Sequence, residues 1–301
     1  MDMGESQEND AIAGKVPVEV LEPSSLGTPV IFASPHSGRD YPAELLENSR
    51  LDRHNLRQSE DCYVDLLFNA APSYGAPLLR ALFPRAFVDV NRARNEIDPR
   101  MFADEVTDRI DTGSNRVAAG LGVIPRIVAD GHDIYDRKLF FRDAQRRLSS
   151  CYDPYHKALS DLIDAAVKDF GMAVVIDCHS MPSSGTGVRF PAHLPDMVLG
   201  DRFGVSCAAE ITDFADSFLS GRGLSVARNA PYAGGYVASS YGRPRRNVHV
   251  LQIEINRRLY LDEKRIARTD QFDDLRLLLS QFMESLAARM NADRLPRLAA
   301  E

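Results

Sequence analysis

Apolar residues are distributed along this chain in two alternating patterns. PVIFAS (29–34), MAVVIDCHS (172–180) and NVHVLQIEI (247–255) are short runs rich in Val and Ile, the mark of strands buried on both faces. PLLRALF (77–83) and AFVDV (86–90) read as further strand-like segments. Between them the spacing becomes helical. Tyr63, Leu66, Leu67 and Ala70 predict a helix through EDCYVDLLFNAA, with Asp61 in its first turn. Leu148, Tyr152, Tyr155, Leu159 and Leu162 mark one face of a long helix from Arg137 to Lys168, with a kink expected at Pro154. A helix is expected near 203–218, and Phe272, Leu275, Leu279, Phe282, Leu286 and Met290 define the last one. Such alternation predicts an α/β chain, a three-layer α/β/α domain with a mixed, largely parallel sheet. Residues 1–15 lack apolar periodicity and read as a disordered lead, and 16–301 as a single domain.

Composition narrows the function classes. The net charge is −7, so there is no broad positive field for a nucleic acid or an anionic membrane. No apolar run approaches the roughly 18–20 residues a bilayer requires, and the acidic start is unlike a signal peptide. A cytoplasmic location is the expectation. Cys62, Cys151, Cys178 and Cys207 form no Cys-x-x-Cys pair and read as reduced core thiols.

Only seven histidines are present, and His36 and His179 occupy matching places, each closing a buried strand and preceding a Ser-containing turn. Either alone reads more simply as a hydrogen-bonded turn histidine. Together, with acids nearby, they suit a metal held by rigid strand ends. Asp61 or Glu60 would supply a carboxylate ligand, leaving one position open for water as in hydrolytic zinc. For Asp61 the plainer role is a charge at a helix start. Two imidazoles and one carboxylate also make the facial triad of Fe(II) oxygenases, a rival reading. Glu254 is a carboxylate inside an apolar strand, where desolvation raises its pKa toward that of a general base; the alternative is an ion pair with Arg257, Arg258 or another Arg. Asn91 and Arg92 offer a fork for a substrate carboxylate, and Arg85 a cation for a developing oxyanion, unless NRAR is only a solvated basic loop.

PHSG (35–38), SEDCYVDLLF, FPRAFVDVNR (83–92), YDPYHKAL (152–159), VIDCHS (175–180), GGYVASSYGRP and NVHVLQIEINRRLYLDE resemble, in order and spacing, the N-formylglutamate amidohydrolase family, with a likeness to the wider zinc carboxypeptidase and aspartoacylase fold. The resemblance implies a mono-zinc hydrolase of a small N-acyl amino acid. His36, Asp61 and His179 would ligate Zn²⁺, Glu254 would be the general base with Arg85 beside it, and Asn91, Arg92 and Tyr236 would bind substrate. One block departs from the family: Ala238, Ser239 and Ser240 stand where its members tend to carry Thr-Arg-His. A deacylase for another N-acyl amino acid, or a non-catalytic binder on the same fold, are the alternatives this leaves.

Overall fold

The computed structural model describes residues 16–111, 113–128, 131–184 and 194–292; the expected disordered lead lies outside them. Seven strands form one sheet: β1 (Val18–Leu21), β2 (Val30–Ser34), β3 (Leu78–Ala81), β4 (Ala173–Met181), β5 (Met197–Gly200), β6 (Val226–Arg228) and β7 (Val248–Asn256). Their order is β1-β3-β2-β4-β7-β5-β6. The four central strands β3, β2, β4 and β7 are mutually parallel, while β1 pairs antiparallel to β3 and β5 antiparallel to β7. The sheet is therefore mixed and largely parallel.

Period-two alternation sorts each central strand between two cores. Ile31, Ala33, Val175 and Val250 pack on the side of Tyr155, Leu159, Ile163 and Ala166, from the helix Asp153–Phe170. Val30, Phe32, Val174, Ile176, Leu251 and Ile253 face the other way, onto Leu275, Leu279, Phe282 and Leu286 of the helix Phe272–Ala292. Both faces are covered, which gives the three layers expected. Because β2, β4 and β7 run in one direction, their carboxyl ends open on the same edge, where open α/β sheets place their ligands.

Local expectations fail in four places. EDCYVDLLFNAA contributes only one helical turn, Val64–Leu67, and Asp61 precedes it. Its backbone N–H donates to the His36 carbonyl (3.0 Å) and its carbonyl accepts from Ser37 Oγ (3.0 Å), so a long-range tie replaces the helical bonds. AFVDV is a buried turn instead of a strand, since Phe87 and Val88 both donate to the Pro84 carbonyl. The helix expected from Arg137 is divided into Phe141–Arg147, a π-turn at Leu148–Tyr152, and Asp153–Phe170. Pro154 lacks an N–H, and the ladder widens just ahead of it. Near 203–218 the helix is Ala209–Ser220, because Arg202 and Phe203 adopt left-handed backbone before it.

The turn after β2 tolerates only glycine at position 38. A Cβ on Gly38 would lie 2.0 Å from the Phe83 carbonyl oxygen. Gly38→Ala is expected to lower stability by about 3 kcal/mol through overpacking against backbone, read as a shift in urea midpoint; an unshifted midpoint would contradict this.

His156 lies behind the same edge. Its Nε2 is 3.0 Å from the Val90 carbonyl oxygen, its Nδ1 is 2.8 Å from Tyr241 Oη, and the Tyr241 ring stacks on it. Burial disfavours the charged imidazole and pushes its pKa down to about 4. The unfolded chain therefore binds a proton that the folded chain refuses as pH falls below about 6.5. This group should remove about 2 kcal/mol of stability between pH 7 and pH 5. In denaturant unfolding at the two pH values, His156→Gln should lose less stability on acidification than the parent; an equal loss would refute the assignment.

Candidate metal and substrate site

Three separate stretches converge at this edge. His36 follows β2 by two residues, His179 sits near the end of β4, and Asp61 is drawn in by its backbone tie to His36. All three are buried. Asp61 Oδ2 is 3.3 Å from His36 Nδ1 and 3.0 Å from His179 Nδ1, and a ligand atom from each residue lies within 4.8 Å of the others. Glu60 turns elsewhere, to Tyr41, Arg57 and Cys62 (2.5, 3.1 and 3.2 Å), so the geometry separates the two candidate acids.

The imidazoles are backed by acids that the sequence reading did not single out. His36 Nε2 is 2.8 Å from Asp89 Oδ1, and His179 Nε2 is 3.0 Å from Asp177 Oδ2. A neutral ring with its N–H on those carboxylates turns the Nδ1 lone pair toward Asp61. With both rings in that tautomer, two lone pairs and a carboxylate oxygen would meet with no donor between them, an arrangement that suits a cation. The N₂O donor set suits zinc and its neighbours in the first transition row. The cluster can therefore hold a metal. Burial opposes charge on His179, but Asp177 and Asp61 outweigh it and raise the His179 pKa well above its usual value. Asp61 is held well below the carboxylate range, its burial outweighed by hydrogen bonds from His179 and His36.

The second oxygen of Asp61 is anchored. Its Oδ1 accepts from Ser180 Oγ (3.2 Å) and Arg257 Nη2 (3.4 Å), while Arg257 also donates to the Glu60 carbonyl (2.6 Å). Arg257 is thus the partner of Asp61, and Arg258 of Asp196 (2.5 Å). Neither pairs with Glu254. The Glu254 side chain accepts from Gln252 Nε2 (2.8 Å), and in the sheet register Glu254 stands opposite His179. Burial lifts its pKa to about 7, with His179 opposing and Asp61 adding to the rise.

Asn91 is brought to the cluster, but its amide is already engaged. Nδ2 lies 3.2 Å from Asp177 Oδ2 and 3.0 Å from His179 Nε2, and Oδ1 accepts from the Val237 N–H (2.8 Å). Gly235 packs so closely on this amide that a Cβ would sit 2.5 Å from it. Arg85 donates to Asp89 (2.7 Å) and faces the cavity. Arg92 donates to the Leu121 and Asn91 carbonyls (both 2.9 Å), with Nη2 3.7 Å from Asp89 and also facing the cavity. Tyr236 opens the helix Tyr236–Tyr241, its ring packs edge-on against His156, and it is not among the cavity-lining residues. Of the unforeseen residues, Asp89 and Asp177 carried a readable signal, an acid within an apolar run, the same signal that singled out Glu254.

The cavity over the cluster measures about 1280 Å³ and is lined by His36, Asp61, His179 and Glu254, with a wall of basic side chains. Among the described residues, no helix is long and apolar enough to cross a membrane.

Comparison with known proteins bears on the family. The N-formylglutamate amidohydrolase family profile matches residues 28–261. N-formylglutamate deformylase of Pseudomonas aeruginosa is 26% identical over 90% of this chain and 97% of its own length. The enzyme of that name from Pseudomonas putida is 24% identical over 86% and 92%. A crystal structure of N-formylglutamate amidohydrolase from Ralstonia eutropha superimposes with a TM-score of 0.88 at 34% identity, covering 93% of this chain and all of the other. A gene product of Agrobacterium tumefaciens, at 18% identity and TM-score 0.64, shares the fold. A profile match over most of the chain, together with a backbone that follows a solved amidohydrolase almost end to end, makes this protein an enzyme of the N-formylglutamate amidohydrolase family.

Proposed function

We propose that the protein hydrolyses the formyl amide of N-formyl-L-glutamate, giving formate and L-glutamate, with a zinc ion held by His36, Asp61 and His179. The observation that carries this reading is the meeting of two imidazole Nδ1 atoms on one carboxylate oxygen beside a desolvated acid at Glu254. The chemistry such a cation supplies is Lewis acidity, which acidifies water toward a pKa of about 7 and polarises the formyl oxygen.

The remaining roles belong to the chain. Asp89 and Asp177 hold His36 and His179 in the tautomer that presents Nδ1. Asn91 donates to Asp177 and accepts from the Val237 N–H, which suits it to a positioning role behind His179. Glu254 takes a proton from the attacking water and delivers it to the departing nitrogen as the carbon–nitrogen bond breaks. Arg85 stabilises the negative oxygen that develops on the formyl carbon. Arg92 holds the α-carboxylate, so that the formyl group is presented to the cluster in one orientation.

Metal analysis of the purified protein, followed by assay of formate and glutamate release, tests the reading. About one zinc per chain with stoichiometric release supports it. Metal-free protein that retains full turnover, or no release from N-formyl-L-glutamate by the zinc-loaded protein, overturns it.

A further inference from the structure

The proposed substrate carries two carboxylates, and the roles above account for one. The stretch Ala238 to Ser240 brings no cation for the other: Ala238 is buried and Ser239 Oγ donates to the Tyr236 carbonyl (2.9 Å). The basic wall of the cavity therefore has to be searched for one. Most of its guanidiniums are matched with acids, Arg57 with Glu60, Arg85 with Asp89 and Arg258 with Asp196. Arg116 differs. It lines the cavity, is exposed, and has no acidic partner among the described residues.

The segment bearing it is firmly held. Glu96 accepts from Ser114 Oγ (2.6 Å) and from the Ala93 N–H (2.8 Å), and the Glu96 carbonyl accepts from the Val123 N–H (2.8 Å). These bonds tie the turn Asn115–Ala118 to the loop that carries Arg92. The same wall carries Leu121, whose N–H donates to the Arg116 carbonyl (2.8 Å), and Pro125 and Ile127, an apolar strip. The Arg116 charge, with that of Arg85, adds to burial in lowering the Arg92 pKa, so an anion between Arg92 and Arg116 would relieve a real repulsion. Lys264 is the other cavity cation without a carboxylate partner among the described residues, but Asp262 and Glu263 flank it in sequence and offset its charge.

We propose that Arg116 is the specificity residue for the side-chain carboxylate of the formylated amino acid, with the apolar strip beside it accepting the two methylenes. This rests on the formylglutamate reading above and goes beyond it by naming the subsite. A charge-assisted hydrogen bond at an exposed position is worth about tenfold in binding.

The test compares N-formyl-L-glutamate with N-formyl-L-glutamine, which differ only at the side-chain terminus, a carboxylate in one and a neutral amide of nearly the same shape in the other. In the parent enzyme kcat/KM should favour the acid about tenfold, through KM, and Arg116→Met should abolish the gap, with Arg116→Lys restoring part of it. Competitive inhibition by L-glutamate should weaken about tenfold in Arg116→Met while inhibition by L-glutamine moves much less. Added salt should erode the parent's preference and leave the variant indifferent. If Arg116→Met keeps the parent's preference, or loses both substrates equally, the subsite is elsewhere while the formylglutamate reading stands. If the parent enzyme does not cleave N-formyl-L-glutamate at all, both fall.

Discussion

Glu254→Gln is expected to leave metal binding intact and to lower kcat for N-formyl-L-glutamate by about 10³-fold, with little change in KM, the loss expected on removing a general base. Gln preserves the shape of Glu254, and its side-chain oxygen can still accept from Gln252, so the strand has no reason to distort. What disappears is the site for the proton. In the proposed mechanism Glu254 works ionised, so activity should rise as pH climbs through the Glu254 pKa. Burial sets that value at about 7, and a cation in the adjacent cluster draws it lower. The acid limb of kcat/KM should therefore fall at or below about pH 7 in the parent and be absent from the residual rate of the variant. Full turnover in Glu254→Gln at unchanged zinc content would eliminate the base assignment.

Asp61→Asn is expected to lower zinc affinity by at least about 100-fold, with activity falling in parallel and returning in part when zinc is supplied in excess. The substitution keeps the volume of a residue that is only 1% exposed and removes the negative charge shared by both imidazoles and Arg257. Glu60→Gln is the control, because Glu60 bonds Tyr41, Arg57 and Cys62 outside the cluster. Metal content by mass spectrometry and isothermal titration with zinc separate the two. An empty Glu60→Gln beside a zinc-replete Asp61→Asn would reverse the assignment.

Much of this site was visible as local chemistry. His36 and His179 end apolar runs that can only be buried strands, and two such strands in a parallel sheet must end at one edge. Glu254 was conspicuous because an acid in an apolar run needs a partner or a task, and the same argument applied to Asp89 and Asp177 finds the backing of both imidazoles. Asp61 was harder. Its sequence neighbourhood reads as the first turn of a helix, yet its place depends on a hydrogen bond to a residue 25 positions earlier, which no local pattern announces. The place of Tyr236 was hidden for a related reason, since a helix start fixes where a ring points only when its neighbours in space are known, and here they are His156 and Tyr152.

Period and composition alone determined the layers of this protein, the direction of its central strands and the edge at which chemistry gathers, because burying apolar runs of those lengths leaves few arrangements. Which of two adjacent acids faces the imidazoles, that Asn91 is engaged within the cluster, and that Arg116 lines the cavity with no acidic partner among the described residues were decided only by the tertiary structure. Each depends on contacts between stretches far apart in the chain, and those contacts depend on how the loops close over the sheet.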